Sequence, residues 1–121
     1  MSGKENVFFD SNVLIYHLGG IAKAKPLIES VETGEIKGFI NPIVASEVMF
    51  FYIKAKTGMK SYEIKRNPAA LANIDLEPIF ELFSLFNMLE ISTCEFYGID
   101  KIATFDDDFK RVKTMKIVEK V

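Results

Sequence analysis

The sequence predicts an α/β protein, a three-layer α/β/α sandwich built around a mostly parallel central sheet. Short apolar runs alternate with segments of helical periodicity, and Gly, Pro or Asn residues occur at the boundaries between them. Two of the apolar runs end in acidic residues. Strands that alternate with helices form parallel sheets whose faces the helices cover. We expect residues 1–121 to form one domain, because 121 residues is a common size for a single core.

Five segments have the apolar and β-branched composition of buried strands. In chain order they are Val7–Phe9, Lys37–Ile40, Asn87–Ile91, Lys101–Phe105 and Lys116–Glu119. The first and the fourth run directly into aspartates, so two strands deliver carboxylates to the same edge of the predicted sheet.

Helical segments fill the intervals between these strands, and capping residues mark their ends. They are predicted at Asn12–Leu18, Ile21–Thr33, Pro42–Lys56, Ser61–Asn73 with an interruption at Pro68, Glu77–Phe86 and Thr93–Tyr97. The helix that starts at Pro42 has so many apolar residues that we expect it to be buried on most sides.

Composition limits the classes of function. The chain has 15 basic and 17 acidic residues, and this balance argues against broad, charge-driven coating of nucleic acid. The single Cys94 excludes an internal disulfide framework, which fits a reducing cytoplasm. We expect no targeting segment, because no charged-then-apolar signal pattern occurs at the N-terminus, and no membrane span, because the longest apolar run, Val48–Ile53, is far too short.

Three acidic positions stand out as a candidate site. Asp10 follows the first strand, Asp106 follows the fourth, and Glu47 lies in the apolar central helix. Taken singly, each has an ordinary interpretation, as a turn residue, a helix cap or an exposed glutamate. Together they would repel one another unless a cation compensated them, and Mg²⁺ or Mn²⁺ suits oxygen ligands. Such a site favours hydrolysis of a phosphodiester.

Three segments in series resemble a PIN domain: Phe8–Ile15 (FFDSNVLI), Asn41–Val48 (NPIVASEV) and Ile102–Phe109 (IATFDDDF). The chain looks most like the small single-domain PIN proteins of prokaryotes, many of them VapC-type toxins. That resemblance implies a ribonuclease that depends on Mg²⁺ or Mn²⁺, forms a homodimer and is inhibited by a small antitoxin protein.

The resemblance also implies roles for individual residues. The implied metal-binding and catalytic carboxylates are Asp10, Glu47 and Asp106. The residues implied to support them are Ser11, Asn12, Thr104 and Asp108. In these roles Asp10 and Asp106 coordinate the metal, while Glu47 completes the cage or orients the attacking water.

One departure from the family pattern affects the expected activity. PIN domains usually have a further aspartate on a helix before the segment that corresponds to Thr93–Gly98. Here Ile91-Ser92 continues straight into Thr93, as though about twenty residues of a helical crossover were absent. A natural truncation, an engineered one and a stretch missing from the recorded sequence would all produce this pattern.

Two alternatives to the ribonuclease therefore stay open. One is a PIN-like binding or dimerisation protein whose catalysis is impaired because the further acid is missing. The other is a nuclease selective for DNA or for nucleic-acid structure, since no base-reading module is visible in the sequence.

Overall fold

A parallel sheet organises the computed structural model, which describes residues 5–89, 99, 101–105 and 116–118. Its strands are β1 (Glu5–Phe9), β2 (Ile36–Ile40), β3 (Asn87–Met88), β4 (Lys101–Ala103) and β5 (Lys116–Val118). They lie in the order β3-β2-β1-β4-β5, and every neighbouring pair is parallel. The predicted α/β class with a parallel sheet is confirmed.

The described helices come between β1 and β3. They are α1 (Ser11–Leu18), α2 (Lys25–Glu32), α3 (Pro42–Thr57), α4 (Ser61–Arg66) and α5 (Glu77–Phe83), with 3₁₀ turns at Ala22–Ala24 and Pro68–Asn73. None of the helices in the described ranges is long and apolar enough to cross a bilayer. The helix predicted at Thr93–Tyr97 falls outside these ranges.

Several predicted helices have different bounds in the structure. Helix α1 starts one residue earlier than predicted, α3 ends one residue later, and the segment Ser61–Asn73 consists of α4 and a 3₁₀ turn. The segment predicted as one helix over Ile21–Thr33 consists of a 3₁₀ turn followed by α2. Pro26 stands in the first turn of α2, where its missing N–H and fixed φ favour the start of a new helix. The helix predicted to reach Phe86 ends at Phe83.

The apolar side chains form clusters on both faces of the sheet. Val7 and Phe9 of β1 are fully buried in the larger cluster, which includes residues of α1, α2, α3 and α5. Phe8 points to the opposite face, because side chains alternate along a strand, and it packs against Phe39 and Leu89 of a smaller cluster. The chain segments that connect β3 to β4 and β4 to β5 lie largely outside the described residues.

Helix α3 differs from the expectation that it is buried on most sides. Its buried residues are Val44, Val48 and Tyr52, which are spaced by four and so form one narrow stripe. Ile43 and Phe51 are 52% and 38% exposed. The expectation was wrong because α3 contacts the rest of the described chain along one stripe, whereas its apolar residues occur all round the helix.

Candidate active site at the carboxyl edge of the sheet

Three residues stand side by side where β1, β2 and β4 end. The register pairs Phe8 with Phe39 and Phe9 with Ala103. Continued by two residues on the β2 side and by one residue on the β4 side, it aligns Asp10 with Asn41 and with Thr104. The backbone N–H of Asp10 donates to the carbonyl of Ala103 at 2.9 Å, which extends the pairing by one residue.

The strand order makes β1 the point where the topology switches. From β1 the chain proceeds to β2 and β3 on one side, and β4 and β5 lie on the other side. In open parallel sheets, ligands bind in the crevice at the carboxyl ends of the strands at such a switch point. Asp10 therefore occupies the position in this fold at which a ligand site is expected.

Both oxygens of the Asp10 carboxylate have protein donors. Oδ1 accepts from the backbone N–H of Ser11 at 2.9 Å, and Oδ2 accepts from the hydroxyl of Thr104 at 3.0 Å. The side chain is half-buried, and its extended backbone makes it the N-cap of α1. Each carboxylate oxygen can accept about two hydrogen bonds, so Asp10 keeps lone pairs for a further ligand.

Asn12 and Thr104 form a network behind this carboxylate. The backbone N–H of Phe105 donates to the nearer amide atom of Asn12 at 3.2 Å, so that atom is Oδ1. The Asn12 Nδ2 then donates to Thr104 Oγ1 at 3.2 Å. The hydroxyl has one proton, and the charged Asp10 oxygen at 3.0 Å is a better acceptor than Asn12 Oδ1 at 3.5 Å. These hydrogen bonds connect α1 with the end of β4 and fix the position of Asp10.

Replacing the fully buried Thr104 with valine is expected to lower the free energy of unfolding by about 1–3 kcal/mol, because Asp10 loses a donor and Asn12 loses an acceptor. Thr104→Ser keeps the hydroxyl and is the matched control. Urea unfolding of the three proteins measures the difference. Equal stability of the valine and serine variants would show that the hydrogen bonds of Thr104 do not stabilise the fold.

Helix α3 presents its first turn to the same edge. Asn41 follows β2 directly, and its side-chain oxygen accepts from the backbone N–H of Val44 at 2.9 Å, while Pro42 takes the first helical position. Helix α1 also begins at this edge, at Ser11. The partial positive charges of two helix N-termini therefore favour a bound anion there.

Glu47 lies on α3 and is exposed. Within the described residues its carboxylate has no hydrogen bond or ion pair, so it is available to a cation. The described ranges contain no group of three or more His, Cys, Asp and Glu side chains placed to hold one metal ion. Asp106 and Asp108 lie outside those ranges, immediately beyond Phe105.

The structure adds one edge residue, Asn41, which at the sequence level was only the first residue of a family motif. Asn41 ends β2 as Asp10 ends β1, and the register makes the two neighbours. The available signal was the shared pattern of an apolar strand followed at once by an Asx residue. Ser11 contacts Asp10 through its backbone N–H.

A family model for the PIN domain matches residues 7–115. Ribonuclease VapC2 of Methanocaldococcus jannaschii is 48% identical over 141 aligned positions, which cover 96% of this chain and 95% of that protein. Ribonuclease VapC6 of the same organism is 31% identical over 148 positions, covering 94% and 97%. The chain belongs to the PIN domain family.

A solved structure shares the fold. It is the crystal structure of VapBC2 from Rickettsia felis bound to a DNA fragment from their promoter, with a TM-score of 0.53 and 15% identity. The match covers 93% of this chain and 97% of that one. At this identity the similarity shows the fold alone.

The alignment with the more similar of these two relatives contains many positions that this chain lacks. Ninety-six per cent of 121 residues is about 116, which leaves about 25 of the 141 aligned positions without a residue of this chain. That number is comparable with the segment of about twenty residues expected to be absent before Thr93. The location of the absent segment stays a prediction.

Proposed function

We propose that this protein is a metal-dependent endoribonuclease that hydrolyses RNA phosphodiesters, as a VapC-type toxin of a toxin–antitoxin pair. The observation that carries the proposal is the Asp10 carboxylate at the switch point, held by Ser11 and Thr104 next to two helix N-termini. The names of two relatives, Ribonuclease VapC2 and Ribonuclease VapC6, support RNA as the substrate.

The carboxylate oxygens among the described residues are suitable ligands for a hard divalent cation. Asp10 keeps lone pairs beyond its two hydrogen bonds, and Glu47 has an exposed carboxylate without a partner in the described residues. Mg²⁺ commonly takes only one or two protein carboxylates and keeps several waters. We propose Asp10, Glu47 and Asp106 as the residues that hold Mg²⁺ or Mn²⁺, with Asp108 as a supporting acid. The cation would supply Lewis acidity toward the phosphoryl oxygens.

The protein's own groups would orient the reaction. The two helix N-termini attract the phosphate, and the network of Asn12 and Thr104 keeps Asp10 from rotating. Water attacks phosphorus in line with the departing ester oxygen, so one P–O bond forms and one breaks. Glu47 either orients that water or completes the cation's ligand set. An orientation held in advance is what makes such an attack fast.

Glu47→Gln is expected to leave stability unchanged within about 0.5 kcal/mol in EDTA, because the exposed carboxylate has no partner in the described part of the chain. Metal-stimulated RNA cleavage should fall by about tenfold or more. Glu29→Gln, at an exposed position on α2, is the matched control and should change neither quantity. A clear fall in Tm of the Glu47 variant in EDTA would instead indicate a structural ion pair.

Cleavage of defined nucleic acids tests the function. Purified protein is incubated with single-stranded RNA, an RNA hairpin and single-stranded DNA of matched sequence, each in Mg²⁺, Mn²⁺ or EDTA. The proposal expects RNA cleavage in metal and none in EDTA. Faster cleavage of DNA would favour the DNA-directed nuclease, and preference for the hairpin would favour a structure-selective one.

One observation favours a second candidate, a PIN-like binding protein with impaired catalysis. About 25 positions of the alignment with Ribonuclease VapC2 have no residue in this chain, so the acid expected in the absent crossover would be missing. This candidate expects no cleavage in any metal and no calorimetric signal at millimolar Mn²⁺. Retained binding of a small protein partner would then identify the remaining function.

We also propose an antitoxin partner and a homodimer. The structure that shares the fold was solved as VapBC2, and both named relatives are VapC proteins. Large apolar side chains stay exposed on this chain, among them Ile43 at 52%, Phe80 at 54% and Met88 at 55%. Sedimentation equilibrium across concentrations measures the association. A protein that remains monomeric at high concentration would contradict the homodimer.

A further inference from the structure

Two aromatic rings and one lysine form a cluster beside the carboxylate site. The rings of Tyr16 and Phe105 are stacked, with centroids 5.3 Å apart and planes inclined by 22°. The ammonium of Lys23 lies 4.9 Å from the Tyr16 centroid and 4.5 Å from the Phe105 centroid. We call these three residues the stacking cluster.

The stacking cluster continues directly from the network that holds Asp10. Phe105 follows Thr104, and its backbone N–H donates to the Asn12 side chain. Tyr16 is four residues after Asn12 on α1, so both side chains are on one face of the helix, about 6 Å apart along its axis. A strand bound with its phosphate near Asp10 therefore has the cluster within reach of the next nucleotide.

The chemistry of the cluster fits an unpaired base and its phosphate. Aromatic rings bind the faces of bases whatever their sequence, and a lysine nearby contributes charge to the backbone. Tyr16 and Phe105 are both half-buried, which leaves part of each ring at the surface, and Lys23 is exposed. The chain carries a net charge of −2, so attraction to a polyanion has to come from local groups such as this lysine.

We propose that the stacking cluster is a subsite for an unpaired nucleotide next to the scissile phosphate, with its base against the aromatic pair and its phosphate near Lys23. The inference rests on the proposed ribonuclease function and extends it to substrate choice. A base within a duplex is stacked on its neighbours and cannot reach the rings, so the subsite selects single-stranded segments. Tyr16, Phe105 and Lys23 are substrate-positioning residues in this proposal.

Tyr16→Leu tests the subsite against a purely structural role of the rings. The substrates are a short single-stranded RNA and the same RNA with one abasic nucleotide beside the cleavage site. Loss of the base should lower kcat/KM of the wild type by about 5- to 150-fold, the range for one stacked base. Tyr16→Leu should show the same loss on the intact RNA and no further loss on the abasic one. Tyr16→Phe keeps the ring and should behave as the wild type.

Lys23→Gln provides a second variant with a different readout. Binding of a fluorescein-labelled single-stranded RNA is measured by anisotropy at several salt concentrations. The slope of log K against log salt should become shallower by about 0.7, the contribution of one phosphate contact. Lys56→Gln is the matched control, because Lys56 also lies over a ring, that of Tyr52, but at the far end of α3.

The outcomes separate the two proposals. Suppose that the wild type cleaves RNA, and that Tyr16→Leu and the wild type lose the same factor of kcat/KM on the abasic substrate. The proposed subsite is then wrong, and the proposed ribonuclease function is retained. If no protein cleaves RNA but Tyr16→Leu and Lys23→Gln weaken binding and the Lys56 control does not, the ribonuclease is wrong and the subsite stands. A third outcome is also informative. If the loss of activity of Tyr16→Leu is accounted for by a lower melting temperature, and Lys23→Gln has the salt slope of the wild type, the rings have only a structural role.

Discussion

Asp10→Asn is expected to reduce metal-stimulated RNA cleavage by about 100- to 1,000-fold, because in the proposed mechanism Asp10 is a ligand to the catalytic cation, and such a ligand contributes several kcal/mol to transition-state stabilisation. The residual rate should no longer respond to Mg²⁺ or Mn²⁺. Cleavage of a single-stranded RNA is measured by gel in each metal and in EDTA. Isothermal titration with Mn²⁺ should show weaker binding to the variant than to the wild type.

The fold of the Asp10→Asn protein should survive, which makes the loss of activity interpretable. Asparagine caps helices about as well as aspartate, and its oxygen can accept from the Ser11 N–H. Its amide can donate to Thr104 Oγ1, whose proton would then turn to Asn12 Oδ1 at 3.5 Å. Asp75→Asn is the matched control, because exposed Asp75 also accepts a backbone N–H, from Glu77. Equal activity of Asp10→Asn and wild type would remove Asp10 from the site.

Gly38→Ala is expected to lower the free energy of unfolding by about 1–3 kcal/mol, from overpacking. An added Cβ would lie 2.7 and 2.8 Å from two ring carbons of Phe86 and 3.1 Å from Cγ2 of Val31. The ring cannot move freely, because it packs edge-on against the buried Phe9 ring with centroids 5.0 Å apart. For a chain of this length the Tm should fall by about 4–12 °C.

Two further proteins check the cause of that loss. Phe86→Leu combined with Gly38→Ala should be less destabilised than the sum of the single variants, by about 0.5 kcal/mol or more in a double-mutant cycle. Gly19→Ala is the matched control, since its added Cβ would approach no atom closer than 3.5 Å. A Gly38→Ala protein as stable as Gly19→Ala would show that Phe86 shifts without cost.

Local sequence signals predicted the framework well because they act over a few residues. Asn41-Pro42 starts α3, since the amide caps Val44 N–H and proline suits the first helical position. The burial of α3 was not predictable from its composition, because Ile43 and Phe51 are as apolar as the buried Val48. Which stripe of a helix is covered depends on tertiary contacts that periodicity cannot indicate when apolar residues surround the helix.

The candidate site also combines a feature that the local sequence predicts with one that depends on residues far apart in the chain. The position of Asp10 after an apolar strand was readable from the sequence, and the PIN resemblance supplied partners for it. The stacking of Tyr16 on Phe105 was not predictable, because it joins α1 to a residue far along the chain. The spacing of four from Asn12 to Tyr16 was a usable signal once Asn12 was assigned to the edge.

The central place of β1 in the sheet has a consequence for when the network around Asp10 forms during synthesis. Asp10 and the Thr104 hydroxyl that holds it are 94 positions apart, and they meet only when β4 pairs with β1. A nascent chain that stops before residue 101 contains Asp10 without that support. Chains grow at about 5–20 residues per second, so the incomplete state lasts for seconds. The network that holds Asp10 therefore forms only after β4 has been synthesised and has paired with β1, so it is one of the later contacts to form.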